Sequence, residues 1–306
     1  MAGKVDAFYF FMVAVSVFFF LLVILLVTFF AIKYRRRGED ERPEPIHGSL
    51  KLELLWTIIP FILSMVMFSW GAVLYFDMYT PPAEGMNIYV VGKQWMWKIQ
   101  HPEGNREINE LHVPLGTPVK LIMTSEDVIH SFYVPAFRMK MDVLPGRYTT
   151  AWFEATKPGK YHLFCAEYCG TKHSQMTGSV YAMEPVDYQD WLEQESAATL
   201  SMVQAGEQLY SQLGCGTCHT QEGDPRGPSL YGLHGKAVEL LTGNAITADD
   251  SYIRESIMAP AAKVVAGYGP LMPTYKGQVN EEELLRLVAY IKSLTLDNED
   301  SASKSR

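Results

Sequence analysis

Cysteine is scarce in this chain, with four in 306 residues, which excludes a disulfide-built scaffold. Basic residues are in deficit: 26 Lys and Arg stand against 34 Asp and Glu, a net charge of -8. Nucleic-acid binding needs a basic surface, so that class is excluded too. The sequence also lacks a glycine-rich phosphate loop and any nucleophile-and-base arrangement. Disorder is excluded by what is there, since 48% of the residues are hydrophobic and only 20% charged. A single domain seldom exceeds about 250 residues, so two or three units are expected.

The mean hydropathy of -0.01 averages over an uneven chain. Residues 7–32 and 54–76 carry no charge at all, and each run exceeds the roughly 20 residues needed to cross the hydrocarbon core as a helix. The first is longer than the roughly 7–15 apolar residues of a signal peptide and has no small-residue cleavage pattern after Ile32. Pro60 and Gly71 in the second are tolerated in membrane helices. The connecting loop holds Lys33, Arg35, Arg36, Arg37, Arg42 and Lys51, and basic flanks mark the cytoplasmic side. A hairpin over 1–80 is expected, with both termini outside. The remainder is acidic, as suits a basic soluble partner and as is ordinary for a soluble surface.

Past the hairpin the pattern changes to short stretches rich in Val, Tyr, Trp and Thr, at 87–99, 118–124, 148–154 and 178–183, punctuated by Gly and Pro. These read as strands of an all-β sandwich or barrel over 81–185. Its end carries Cys165, Cys169, His173 and Met176 within twelve residues, and His130 lies upstream. Soft sulfur with imidazole selects copper, zinc or iron–sulfur chemistry, and the thioether favours copper, as in blue-copper electron-transfer sites. Two Cys and two His exceed a mononuclear blue site, and two thiolates can bridge two metals. A Cys165–Cys169 disulfide and a zinc site are the competing readings. His101, His112 and His162 have no such company and read as ordinary strand or surface residues.

A segment over 186–200 that looks polar or helical and has no β pattern reads as a linker. Beyond it, Cys215-Gly216-Thr217-Cys218-His219 is the attachment motif of a c-type haem, with two thiols for the vinyl groups and His219 as axial ligand. A second axial ligand is sought downstream. Met272 sits in the Pro/Gly loop Gly269-Pro270-Leu271-Met272-Pro273, where packing does not demand a methionine; Met258 and His234 are the rivals. Asn280 with Glu283 makes a capping box for a helix carrying Leu284, Leu287, Val288 and Ile291 on one face. A loop methionine followed by a closing helix resembles a small all-α class I cytochrome c domain over 201–296, with Gly227-Pro228 placing a carbonyl to orient His219. A polar tail over 297–306 follows.

The hairpin, Cys165, Glu167, Cys169, His173 and Met176, with Ser125 to His130 upstream, resemble the copper A subunit of haem-copper oxidases, cytochrome c oxidase subunit II. The resemblance implies a cupredoxin Greek-key barrel and a binuclear copper A centre. Cys165 and Cys169 would bridge the coppers, His130 and His173 would be terminal ligands, Met176 a weak ligand, and Glu167 a ligand through its carbonyl. It further implies that the Glu167 carboxylate reaches a Mg or Mn ion at the interface with the catalytic subunit. Trp95, in Gly92-Lys93-Gln94-Trp95-Met96-Trp97, would be where electrons enter. Lys93 and Met96 depart from the His and Tyr common there. Glu53 matches a carboxylate at the mouth of a proton path, and equally reads as an acid at a helix N-terminus.

The expectation is therefore a redox relay in a bacterial inner membrane, with both redox domains on the periplasmic side. One covalent haem c passes electrons to copper A and on to a large haem-copper subunit I that reduces O2 to water and pumps protons. Other oxidase subunits are expected partners. The upstream donor is a soluble cytochrome c, a cupredoxin or a quinol-oxidising complex. Alternatives are the copper A subunit of a membrane nitric oxide reductase and, from another class, a membrane-anchored copper-binding or delivery protein, for which a covalent haem has no use.

Overall fold

The computed structural model describes residues 1–38, 41, 47–196 and 200–295. The tail expected over 297–306, and Arg42 of the basic loop, lie outside the described residues. The chain forms two compact units, Met1–Pro81 and Pro82–Arg306.

The first unit is a pair of helices, α1 (Ala2–Lys33) and α2 (Leu50–Tyr79). At 1.5 Å per residue they are about 48 and 45 Å long, enough to cross a bilayer. Apolar side chains cover every face of α1 and none is buried, while α2 buries only Leu74. Helices apolar all round are stable in lipid rather than water. They run antiparallel: Phe8 and Phe11 pack on Trp70, with ring centroids 5.4 Å apart in each pair. Lys4 near the start of α1 pairs with Asp77 near the end of α2 at 2.8 Å.

The second unit opens with β1 (Met86–Lys93), β2 (Met96–Gln100), β3 (Arg106–Ile108), β4 (Glu110–Pro114) and β5 (Pro118–Ser125). It continues with β6 (His130–Val134), β7 (Met139–Val143), β8 (Thr149–Glu154), β9 (Gly159–Cys165) and β10 (Thr177–Met183). One sheet has the order β3-β2-β1-β5-β8 and the other β4-β10-β9-β6-β7. Their inner faces bury Ile88, Val90, Trp97, Leu121, Phe132 and Leu163 between them, the alternation expected of a sandwich. The stretch at 87–99 is a hairpin rather than one strand. Its turn is held from outside: Asp127 accepts the Gln94 backbone N–H at 2.8 Å, and the Cys169 carbonyl accepts the Gln94 amide and the Trp95 indole at 2.8 and 3.2 Å. Local propensity carries no trace of such long-range bonds.

The segment read as a linker begins as a helix, α3 (Pro185–Ser196). Tyr188 and Leu192 are buried, and α3 is tied to the barrel by a Tyr188 Oη to His101 Nδ1 contact at 3.1 Å and by the Asn105 amide donating to the Leu192 carbonyl at 3.2 Å.

The C-terminal domain comprises α4 (Met202–Gln212), the small hairpin β11 (Ala237–Glu239) and β12 (Ala245–Thr247), α5 (Asp250–Met258) and α6 (Glu281–Ser293). Capping boxes at Ser201/Gln204 and Asn280/Glu283 start α4 and α6, satisfying N–H groups that a helix leaves open. Helices α4 and α6 cross where Gly206 meets Arg286: a Cβ there would stand 2.1 Å from the Arg286 carbonyl oxygen. Only glycine permits so close a crossing.

Candidate metal and haem centres

Strand β9 ends at Cys165, and the loop that follows returns through a short helical turn at His173–Gln175 to Met176 and β10. Strand β6 runs beside β9, so His130 at its start faces that loop. The result is a tight cluster. Cys165 Sγ lies 3.8 Å from Cys169 Sγ and 3.9 Å from His130 Nδ1. Cys169 Sγ lies 3.5 Å from His173 Nδ1 and 3.8 Å from Met176 Sδ. The Glu167 carbonyl oxygen is 3.2 Å from Cys165 Sγ, while the Glu167 side chain is exposed. His130, Cys165, Cys169 and Met176 are buried. Each thiol thus has its own imidazole, and the separations suit donors around metals about 2.0–2.3 Å from N and S.

Proton chemistry says the same. Burial opposes ionisation of Cys165, yet the His130 imidazole and the backbone N–H and thiol groups around it draw its pKa down to about 6. Cys169 is pushed up to about 12 by burial and by the charge of Cys165. One thiolate resists the second, so both ionise together only around cations. Asp127 fixes the outer imidazole: its Oδ1 is 2.8 Å from His130 Nε2, leaving Nδ1 for a metal, the carboxylate–histidine arrangement common at metal sites. Burial favours the neutral Asp127 carboxyl, but the Gln94 N–H and His130 hold its pKa below the usual range. Cys165 and Cys169 stand as separate thiols, well beyond the roughly 2.05 Å of a disulfide. Trp95 is half-buried and touches this loop through its bond to the Cys169 carbonyl.

In the C-terminal domain a cavity of about 390 Å³ opens beside the CxxCH turn, within the roughly 300–1,000 Å³ of cofactor sites. Cys215, His219 and Met272 all line it, with Leu230, Ile257, Leu287 and Ile291. Cys218 is half-buried in the same turn. His219 Nδ1–H donates to the Pro228 carbonyl at 2.8 Å, so Nε2 is left free for iron. Gly227 allows this, because a Cβ there would be 3.0 Å from His219 Cε1 and 3.1 Å from the Cys218 carbonyl. Burial raises the Cys215 thiol pKa. Of the three candidates for a second axial ligand, Met272 lines the cavity, whereas Met258 and His234 do not. His234 instead pairs with Asp250 at 3.0 Å. Glu53 stands exposed in the first turn of α2.

Sequence reasoning passed over Gly92, Asp127 and a buried Glu107. The Glu107 carboxylate bridges His101, at 2.7 Å, and His112. His112 is sandwiched between Tyr181 and Trp191, each with centroids 4.6 Å away. His101 is fully buried, not a surface residue. The Glu at 107 among strand residues was the signal available, since an acid inside a β pattern needs a partner.

A thiolate–imidazole–thioether cluster in a cupredoxin-like sandwich, joined to a helical cytochrome c domain and a pair of apolar helices, defines a membrane-anchored electron-transfer protein. Family models agree along the chain. The cytochrome c oxidase subunit II transmembrane domain matches residues 1–70, its periplasmic domain 104–183, and cytochrome c 203–295. Cytochrome c oxidase subunit 2 of Alkalihalophilus pseudofirmus is 33% identical over 282 residues, covering 87% of this chain and 80% of that protein. The Synechocystis subunit 2 is 31% identical, covering 62% and 72%. The solved periplasmic domain of subunit II from Bradyrhizobium japonicum is 30% identical with a TM-score of 0.37, covering 38% of this chain and 96% of that one. The chain belongs to the cytochrome c oxidase subunit II family, as a form with a fused C-terminal cytochrome c domain. It is an electron-transfer subunit of an oxidoreductase complex in a membrane, and its family implies copper A and haem c.

Proposed function

We propose that this chain relays single electrons outside the membrane, from its cytochrome domain to its cupredoxin domain and on to a large catalytic subunit I that reduces O2 to water and pumps protons. The observation that carries this reading is that one compact unit, Pro82–Arg306, holds both candidate donor sets, with His130 oriented by Asp127 and His219 by the Pro228 carbonyl. When bound, a binuclear copper centre and a covalent haem each supply a one-electron redox couple. Cys165, Cys169, His130, His173, Met176 and the Glu167 carbonyl are the residues suited to hold two coppers. Cys215 and Cys218 would hold the haem vinyl carbons, and His219 and Met272 its iron.

The remaining side chains tune and orient. Asp127 holds His130 in the tautomer that offers Nδ1; the Pro228 carbonyl does the same for His219 Nε2. Trp95 donates to the carbonyl of Cys169, which couples its ring to the metal loop and supports a role where external electrons enter. The exposed Glu167 carboxylate is free to reach a Mg or Mn ion shared with subunit I. Lys33 and Arg35 to Arg37 after the first span support a cytoplasmic loop, hence both termini and both redox domains on the periplasmic side of a bacterial inner membrane. Glu53 then faces the cytoplasm, as the mouth of a proton path requires. The upstream donor is a soluble cytochrome c, a cupredoxin or a quinol-oxidising complex. Copper delivery has no use for the CxxCH turn and its apolar cavity.

The test is to purify the tagged chain from its native membrane, identify the large subunit that accompanies it and follow gas uptake. Dioxygen uptake that ceases on deleting this chain supports the reading. Uptake of nitric oxide alone, or no haem-bearing partner, overturns it.

A further inference from the structure

The cytochrome domain's hydrophobic core takes in residues of the cupredoxin sheet, and the geometry there assigns a path. Strand β1 alternates: Ile88 and Val90 point into the barrel, while Tyr89 and Val91 are buried in a second core built with Ile253, Ile257, Leu284, Leu287 and Val288 of the cytochrome domain. Ile257 and Leu287 also line the haem cavity. One peptide bond beyond Val91 stands Gly92, on the opposite face, so close to the ligand candidate His130 that a Cβ would lie 2.9 Å from His130 Cδ2. A single strand therefore has one residue in the cytochrome core and the next against the imidazole.

Charged contacts hold this face in register. Lys98, opposite Val91 across the β1–β2 pair, binds Glu282 of α6 at 2.8 Å and Glu126 at 2.9 Å. Arg254 of α5, paired within its own domain with Glu281 of α6, reaches across to lie over the Tyr148 ring at 5.7 Å and to donate to the Gly146 carbonyl at 2.7 Å. The backbone joins in, with the Met202 N–H donating to the Pro102 carbonyl at 3.0 Å.

We propose that the outer face of the β1–β5–β8 sheet is a built docking surface for this chain's own cytochrome domain, latched by Lys98–Glu282 and by Arg254 on the Gly146 carbonyl, and that the interdomain electron crosses it through Val91 and Gly92 to His130 without passing Trp95. The proposal rests on the relay reading above. One electron leaves the cytochrome domain, which is oxidised, and one arrives at the cupredoxin domain, which is reduced; no bond or proton moves. Close-packed atoms suit tunnelling because they leave no gap to cross. Trp95 stays available to other partners.

The experiment uses the full chain in detergent. A zero-length carbodiimide cross-linker is applied first, with or without metals bound; a Lys98–Glu282 cross-link found by peptide mass supports docking, and its absence while Lys98–Glu126 is captured overturns it. Next, in loaded protein, the haem is photoreduced and its reoxidation timed against copper reduction. Lys98→Glu and Glu282→Lys each slow this step about tenfold, because like charges then face each other across the interface, while copper and haem spectra stay unchanged. The double swap restores the rate to within about threefold, and Lys157→Glu on the β8–β9 turn leaves it unaltered. Equal rates in all four variants overturn the proposed path. Failure to bind copper or haem would instead remove the relay reading, leaving the cross-link to decide the docking face.

Discussion

Gly92→Ala is the substitution whose effect on the metal site follows most directly from geometry. The added methyl would lie 2.9 Å from His130 Cδ2, 3.3 Å from His130 Cγ and 3.3 Å from Trp97 Cζ3, against the roughly 3.5–4.0 Å of an unstrained carbon pair. Something must move by about 0.6–1 Å. Trp97 is fully buried between the sheets, and the His130 ring is held by Asp127 at 2.8 Å. Overpacking of this kind costs about 1–3 kcal/mol, offset by about 0.5–1 kcal/mol because alanine loses less backbone freedom than glycine. If the ring yields, its Nδ1 leaves its place beside Cys165 and the loss falls on copper affinity, about tenfold for each 1.4 kcal/mol. If the backbone yields, the loss falls on folding. Copper titration of the haem-loaded chain, with thermal unfolding before and after metal, separates the two. A variant matching wild type in copper affinity, copper spectrum and Tm would show that β1 does not set the position of His130.

Three further predictions concern other parts of the molecule. Gly206→Ala puts a methyl 2.1 Å from the Arg286 carbonyl and 2.7 Å from Tyr290 Cβ, so α4 and α6 must separate at a cost of about 3 kcal/mol or more; unfolding followed at the haem should fall to a clearly lower Tm, and an unchanged Tm contradicts the crossing. Burial raises the Glu107 pKa, but His101 and His112 more than reverse this and hold it below the ordinary value. Its stabilisation is therefore present above its unfolded pKa of about 4.3 and lost as pH falls through the depressed folded value. In urea melts across pH, Glu107→Gln should cost about 1–3 kcal/mol at pH 7 and flatten the acid limb; an acid limb identical to wild type refutes this. Met272→Ala should keep the haem attached through Cys215 and Cys218 while changing the axial-ligand spectrum. An unaltered spectrum would move the sixth ligand to Met258 or His234.

What was legible in the sequence was the chemistry written in short runs. Residues Cys165 to Met176 and Cys215 to His219 are contiguous because a loop and a helical turn present each donor set locally. The spans were legible because lipid demands apolar residues on every helix face. What escaped was long-range. His130, a candidate in the sequence only for the company of the Cys cluster, reaches the thiols through the pairing of β6 with β9, which its own position in the chain does not show. Gly92 looks like any strand glycine until β1 is laid against that ring. The break between β1 and β2 is made by Asp127 and Cys169, 33 and 75 positions from Gln94. The Glu107 bridge was hidden because neither histidine stands beside its aromatic partners in the chain, and the docking of α3 on the barrel because its polar surface masks Tyr188 and Leu192.

The most direct measurement of the central claim is a metal count on the purified full chain joined to its absorption and electron paramagnetic resonance spectra. Two coppers and one iron per chain, a mixed-valence copper signal and a covalently bound haem that reduces the copper pair after a light flash are the predicted result. One copper or none, or a haem that washes out in denaturant, would contradict a two-centre relay.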